Sequence, residues 1–323
     1  MEAIIVLNKQ RLLHFTPYIA IGLFLITATS FLDIAVLSLL TKILIFALLA
    51  MSLDLIWGYT GLWSLGHASL FGMGAYTTGI LMVRYGITSL WLSAPAGILM
   101  TVLVAAIFGL IALRVSTVYF LLITFALGQL VYGVGMKWFT VTGGRDGLPG
   151  VPYPDLGFPV SFSPISIYYF TLTVVVICAF VLYKITKSPF GHSLQGIRES
   201  ETRMRHLGYN TWLYKYIAFV VSGLFAGVAG VLHIYFYGHI APASIGFMAS
   251  GTAILMVIIG GSGTLWGAAI GAVVINILQY YISIFVPERW PLILGACFIA
   301  VVVFLRGGIL PHLRRLWMKV EQP

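Results

Sequence analysis

The chain has 323 residues, 60% of them hydrophobic and 8% charged, with a mean hydropathy of +1.02. That leaves too little polar surface to coat a soluble globular domain and makes the bilayer the main solvent. The net charge of +9 does not point to nucleic acid, because the basic residues gather at the ends of apolar runs and in a few loops, with no basic face on a folded domain.

A helix needs about 20 apolar residues to cross the hydrocarbon core. In chain order, spans are predicted at 17 to 32, 34 to 56, 63 to 83, 92 to 113, 118 to 139, 165 to 183, 215 to 236, 264 to 286 and 289 to 305, with a shorter apolar piece at 246 to 260. Lys9 and Arg11 before the first run imitate a secretory signal. No small-residue cleavage site precedes a soluble mature domain, so the run reads as an uncleaved first span. The same two cations place the N-terminus in the cytoplasm. Six crossings then put Arg114 and the charged loop of about 184–215 inside, and the long loop of about 137–164 outside. Arg306, Arg314, Arg315 and Lys319 argue for a cytoplasmic C-terminus, so an even number of crossings follows Lys215. Three helices are clear, which makes 246 to 260 the fourth. A re-entrant hairpin is the alternative if a neighbouring span is miscounted. The expected fold is all-α: a polytopic transmembrane helical bundle of about ten spans, a single transmembrane domain over 1–323.

Trp57, Trp63, Trp91, Trp138, Trp212, Trp266 and Trp290 fall near span ends, where indole prefers the headgroup level. Gly263, Gly267 and Gly271, echoed by Gly223, Gly227 and Gly230, are read as smooth helix faces for close packing. Cys178 and Cys297 lie inside apolar spans and read as small apolar residues. His233 and His239 lack the carboxylate or Cys neighbours of a metal site, and no metal is predicted. Lys42 reads as a side chain reaching for the outer interface. Asn276 and Gln279 are assigned to hydrogen bonds between helices.

The cytoplasmic loop reads SPFGHSLQGIRESETRMRHLGYN from Ser188 to Asn210. Pro189 and Gly191 are expected to break the incoming helix, and a short helix is predicted over 199 to 207. In it Glu199 precedes Arg203, and Glu201 precedes Arg205, by four residues, the favourable orientation for side-chain pairs. Gly208 supplies a left-handed stop. Leu194, Ile197, Met204 and Leu207 leave apolar material for a partner's groove. A solvated basic loop lying on anionic lipid is the plainer alternative.

At IRESETRMRHLGYN, followed by YIAFVVSGLFAGVAGVL, the chain resembles the coupling loop of bacterial ABC importer permeases of the branched-chain amino acid type. LDLIWGYTGLWSLGHASLFGMGAYTTGIL (Leu53 to Leu81), ILMVIIGGSGTLWGAAIGAVV (Ile254 to Val274) and TGGRDGLPGVP (Thr142 to Pro152) are similar to the same family. More narrowly, the chain resembles the LivM-type subunit. The resemblance implies a multi-pass protein of the bacterial inner membrane that works with a second permease of the LivH type, two cytoplasmic ATPases and a periplasmic solute-binding protein. It implies a coupling helix from Glu199 to Gly208, with Arg203 and Arg205 as ion-pairing contacts and Met204 and Leu207 as apolar ones. ATP and Mg would be used by the ATPases, with no cofactor on this chain. In agreement, the sequence has no G-x-x-x-x-G-K-[ST] phosphate loop, GGSGTLWG lacking the Lys. The chain is expected to be no enzyme.

Asp54 and His67 flank GYTGLWSLG near a span junction. An ionisable group in a span is a functional candidate, and a structural hydrogen bond fixing the turn is the competing reading. Gly58, Gly61 and Gly66 permit a broken backbone there, as membrane transporters often use at their sites. The expected function is import of branched-chain or other hydrophobic amino acids. Urea, short amides or aromatic acids are alternatives that the resemblance leaves open. A stand-alone ion-coupled transporter using Asp54 is the rival from another class.

Overall fold

The structure is a computed structural model describing residues 25–115, 117–155 and 163–285, with 22, 157 and a few positions between 292 and 312. The expected last span, the opening residues 17–21, 23 and 24 of the first, and the basic residues invoked to orient both termini lie outside the described residues, apart from isolated positions in the last span.

The helices are α1 (Ile34–Thr60), α2 (His67–Arg84), α3 (Leu90–Ala112), α4 (Thr117–Lys137), the single turn α5 (Phe139–Thr142), α6 (Pro164–Lys187), α7 (Pro189–Glu199), α8 (Glu201–His206), α9 (Thr211–Tyr237), α10 (Phe247–Gly260) and α11 (Leu265–Phe285). Among the described residues extended pairing is limited to isolated bridges, so the chain is all-helical. Six of these helices, α1, α3, α4, α6, α9 and α11, are long and apolar enough to cross a membrane.

Two helices form the axis of the bundle. Every residue of α1 from Ala47 to Thr60 is buried, the signature of a helix with neighbours on all sides. It packs against α6, α9, α10 and α11. In α9 the small residues decide the packing: a Cβ on Gly223 would sit 2.4 Å from the Ala105 methyl, one on Gly227 2.8 Å from Thr101, and one on Gly230 1.9 Å from the Phe71 carbonyl oxygen. The predicted smooth face therefore meets α3 and α2. Gly267 and Gly271 bring α11 against α10 in the same way, with Cβ positions 2.6 and 1.8 Å from the carbonyl oxygens of Gly260 and Met256. Gly263 belongs instead to the turn before α11, at φ +80°.

Two segments between the long helices are broken. After α1 stops at Gly61, residues 61–66 run back unwound alongside it. Trp63 lies against Trp57 with ring centroids 4.5 Å apart. By His67 the chain is level with Ser52, eight residues and roughly 12 Å back along α1. Only there does α2 begin. The second break follows α9. Gly238 caps it at φ +64°, Leu148 and Ile240 exchange backbone hydrogen bonds, and a 3-10 turn, Pro242–Ile245, leads into α10. With 14 residues, α10 rises about 21 Å, short of the roughly 30 Å hydrocarbon core. Its far end reaches the level of Asp54 and Gly58. The stretch from Gly238 to Gly260 therefore joins the two ends of the bundle.

The loop 143–155 closes one end. Val151 N–H donates to the Gly238 carbonyl at 2.9 Å, and Asp155 exchanges backbone hydrogen bonds with Thr88 and Leu90. Leu148 and Val151 are buried with Ile234, Tyr235, Ile240 and Ile245. The loop thus plugs into the ends of the helices, while Arg145 and Asp146 stay exposed.

Candidate functional site

The opposite end carries α7 and α8. Ser188, with extended backbone, ends α6; its hydroxyl accepts from Gly191 N–H, and Pro189 takes the first position of α7. Proline is favoured there because its missing N–H would be unpaired anyway. The expectation of a break is thus met by Ser188 and Pro189 alone; Gly191 lies inside the first turn of α7 because a Cβ would meet the Thr186 carbonyl oxygen at 2.3 Å. Leu194 and Ile197 anchor α7 to the bundle, 0% and 3% exposed.

The single helix predicted over 199 to 207 is instead interrupted at Ser200. Its extended backbone (φ −160°) closes α7, and its hydroxyl accepts from Arg203 N–H to start α8. A serine capping side chain competes with helix continuation, and here the cap wins. Glu199 and Arg203 fall on different helices and make no ion pair with one another. Glu201 and Arg205 do pair, at 3.2 Å. The stronger contact was invisible to helical spacing: Glu201 also accepts from Lys215 at 2.5 Å and from the Thr211 hydroxyl at 3.0 Å. Partial burial pushes the Glu201 carboxyl up, but the Lys215 hydrogen bond and charge, Thr211 and Arg205 outweigh it and hold the group below the usual carboxylate range. Met204 turns inward, its sulfur 2.8 Å from where a Gly196 Cβ would stand. Leu207 is 67% exposed, and Gly208 adopts the expected left-handed conformation at φ +88°. Arg203, Arg205 and Leu207 are the exposed members of the predicted contact set; Met204 is spent on holding α8 to α7.

Where α7 meets the bundle, four backbones converge. Asp54, on α1, is fully buried. Its Oδ1 accepts from Gly263 N–H at 2.7 Å, which fixes the turn between α10 and α11. One helical turn on, the Gly58 carbonyl accepts from the Arg198 guanidinium, whose charge also acts on Asp54. A Cβ on Gly58 would lie 2.1 Å from Asp54 Oδ1 and 2.2 Å from Gly263 N, so no side chain fits. Gly61 caps α1 in the left-handed region, and Arg198 packs over it. Arg198 thereby links the loop that carries α7 and α8 to the end of α1 and to the turn that ends the second broken segment. The sequence reading placed the loop's functional set from Glu199 onward and missed Arg198, Gly263 and Lys215. The burial of Leu194 and Ile197 is the signal that would have aimed Arg198 at the bundle.

A second set of contacts lies deeper. The Ser52 hydroxyl gives its proton to the Leu49 carbonyl at 2.7 Å. Its 2.9 Å contact with His67 Nε2 therefore needs the imidazole as donor. Ser222, on α9, donates to the Ser52 carbonyl, so one residue of α1 ties α2 and α9. The N-terminal ends of the two broken-segment helices also meet: Ala68 N–H, in the first turn of α2, donates to Ser250 Oγ in the first turn of α10 at 3.2 Å. Gly66 caps α2 where a Cβ would meet the Thr124 carbonyl oxygen at 2.2 Å, which lets α4 close over the junction. Asp54 and His67, adjacent in sequence pattern, thus serve two different joints. Lys42 does not reach freely outward: it donates to Gln279 Oε1 at 3.3 Å and lies 6.0 Å from the Phe46 ring centroid. Gln279 accordingly bridges helices, whereas Asn276 donates only to the Ala272 carbonyl of its own helix.

Residues 35–302 match the family model described as branched-chain amino acid transport system, permease component. The chain belongs to this permease family. The permease is 27% identical over 297 residues to the high-affinity branched-chain amino acid transport system permease protein LivM of Salmonella typhimurium, covering 85% of this chain and 69% of that one. It is 26% identical over 286 residues to the corresponding protein LivH of Escherichia coli K12, covering 82% and 91%. The autoinducer 2 import system permease protein LsrC of Escherichia coli is 28% identical over 265 residues, covering 76% of this permease and 73% of itself. No solved structure matches the permease. Family and helices together make it a multi-pass membrane protein and a transport component.

Proposed function

We propose that this permease is the membrane-spanning subunit of an ATP-driven importer for branched-chain or other hydrophobic amino acids in the bacterial inner membrane. It forms the path with a second, LivH-type permease, and takes its energy from ATP and Mg used by two cytoplasmic ATPases. The similarity to LivM and LivH supports the cargo. The two broken segments count as crossings beside the six long helices. With the spans expected from sequence at 17 to 32 and 289 to 305, which lie in part or mostly outside the described residues, the proposed total is about ten, with both termini in the cytoplasm.

The observation that carries the mechanism is the Arg198 joint. The ATPases grip the exposed Arg203, Arg205 and Leu207. Movement of α8 passes to α7 through Met204 on Gly196, and from α7 through Arg198 to Gly58 and the Gly263 turn. Those two points end the helices that flank both broken segments. A push there tilts α1 and α10 together and parts α2 from α10 at the Ala68–Ser250 contact. No bond is made or broken on this chain. At the other end, a periplasmic binding protein docks on the loop 137–164, where Arg145 and Asp146 offer charges of both signs.

Purification from the native membrane in mild detergent, with mass spectrometry of the partners, tests this reading. Recovery of two ATPases and a second permease is expected. A lone protein indifferent to ATP would return the argument to an ion-coupled transporter. Uptake of leucine set against urea, an aromatic acid and autoinducer 2 reads the cargo.

A further inference from the structure

A cavity of about 340 Å³ opens at the α8 end of the bundle, between the end of α3 and the start of α9. Its charged lining is Arg114, Glu201, Arg205 and Lys215, three cations facing one carboxylate. That carboxylate is already satisfied by Lys215, Arg205 and Thr211. Among the described residues Arg114 has no hydrogen-bond or ion-pair partner. The pocket therefore carries an excess of two positive charges and one uncommitted guanidinium, a fork suited to the oxygens of a phosphate.

Its surroundings select the source of that phosphate. Trp212 lines the pocket and stacks on Tyr216 with centroids 5.2 Å apart, the arrangement of aromatic rings at headgroup level. In the last turns of α3, just before Arg114, stand the exposed Ile107, Leu110 and Ile111. Leu213 and Ile217 are exposed on the first turns of α9. A cationic pocket at headgroup level, continued by apolar surface into the bilayer, matches a diacyl lipid with an acidic head. We propose that this pocket binds the phosphodiester of an acidic phospholipid in the cytoplasmic leaflet, with Arg114 as its principal charge. Because Glu201 holds α8 to α9 through Lys215 and Thr211, the bound lipid steadies the hinge on which α8 moves. The anion site rests on the pocket alone, whereas its leaflet and its effect on the hinge rest on the proposed function.

The test uses the complete permease–ATPase complex in nanodiscs of phosphatidylcholine with or without phosphatidylglycerol, followed by native mass spectrometry of retained lipid. Phosphatidylglycerol is expected to stay bound in preference to phosphatidylcholine. Arg114→Gln should lower its retention about fivefold, the effect of one basic residue at a membrane surface, and Arg114→Lys should restore most of it. Hydrogen exchange of residues 113–115 and 211–215 in the unmutated complex should slow when phosphatidylglycerol is present, a reading independent of any variant. Equal retention in wild type and Arg114→Gln, no change in exchange, displacement by inorganic phosphate at the same concentration, or loss of the lipid whenever the ATPases are bound would each overturn the proposal. The last result would assign the pocket to an acidic side chain of the ATPase.

Discussion

Gly58→Ala is the sharpest test of the joint between loop and bundle. The new methyl carbon would start 2.1 Å from Asp54 Oδ1, 2.2 Å from Gly263 N and 2.6 Å from Gly263 Cα, whereas ordinary contact begins at 3.4 Å. The Gly263 turn must therefore retreat by about 1.2 Å, and it is backbone, with no flexible end to swing aside. That retreat stretches the 2.7 Å bond from Gly263 N–H to Asp54 beyond hydrogen-bond length and leaves a carboxylate buried without its donor. Overpacking costs about 1–3 kcal/mol, and losing a hydrogen bond to a charged group about 1.5–3 kcal/mol more. A total of roughly 2.5–6 kcal/mol is expected, read as a lower thermal midpoint of the purified permease, with uptake lost even where the protein inserts. Gly251→Ala is the control: it lies within α10 with nothing within 4 Å of its Cβ position, so it should be neutral or raise stability by up to about 1 kcal/mol. A Gly58→Ala permease with unchanged thermal midpoint and uptake would refute the geometry of the joint.

Arg203→Glu with Arg205→Glu should abolish uptake while membrane insertion stays normal, and unchanged uptake would remove α8 as the ATPase contact. Ser250→Ala deprives Ala68 N–H of its acceptor and should lower stability by about 1–3 kcal/mol, measured by denaturation in detergent; no change would show that the two helix ends do not depend on each other. Glu201 has a folded-state pKa below its unfolded value of 4.5. Its stabilising effect is therefore complete above about pH 5 and is lost as pH falls through the depressed value. Thermal midpoints measured from pH 7 down to pH 3 should show an acid-side loss that Glu201→Gln removes. The loss is small, because the carboxylate is partly exposed and screened. A Glu201→Gln permease that keeps the same acid dependence would contradict the assignment.

What sequence could convey here was set by periodicity and by glycine. Long apolar runs located α1, α3, α4, α6, α9 and α11 to within a few residues, because hydropathy over about 20 residues is a strong and local signal. It could not show that α2 starts only at His67, since LWSLG is as apolar unwound as it would be helical, and the reason for the break lies in the contacts of Gly66 with Thr124 and of His67 with Ser52. The 3-10 turn that leads into α10 is a feature no count of apolar residues reveals. In the loop, charge spacing foretold the Glu201–Arg205 pair but also a Glu199–Arg203 pair that the Ser200 cap forbids. Asp54 and His67 were singled out as costly buried groups; their partners, Gly263 more than 200 residues away and Ser52 one helix back, are tertiary facts.

Uptake by the Arg198→Ala permease reconstituted with its ATPases and second permease tests the central claim most directly. Arg198 carries a side-chain bond from α7 to the Gly58 end of α1. Leucine uptake driven by ATP should fall severely while the ATPases stay bound, and Arg198→Lys should recover only part of it, since a lysine ammonium lacks the guanidinium's planar fork. Wild-type uptake from Arg198→Ala would show that ATPase motion enters the membrane by another route.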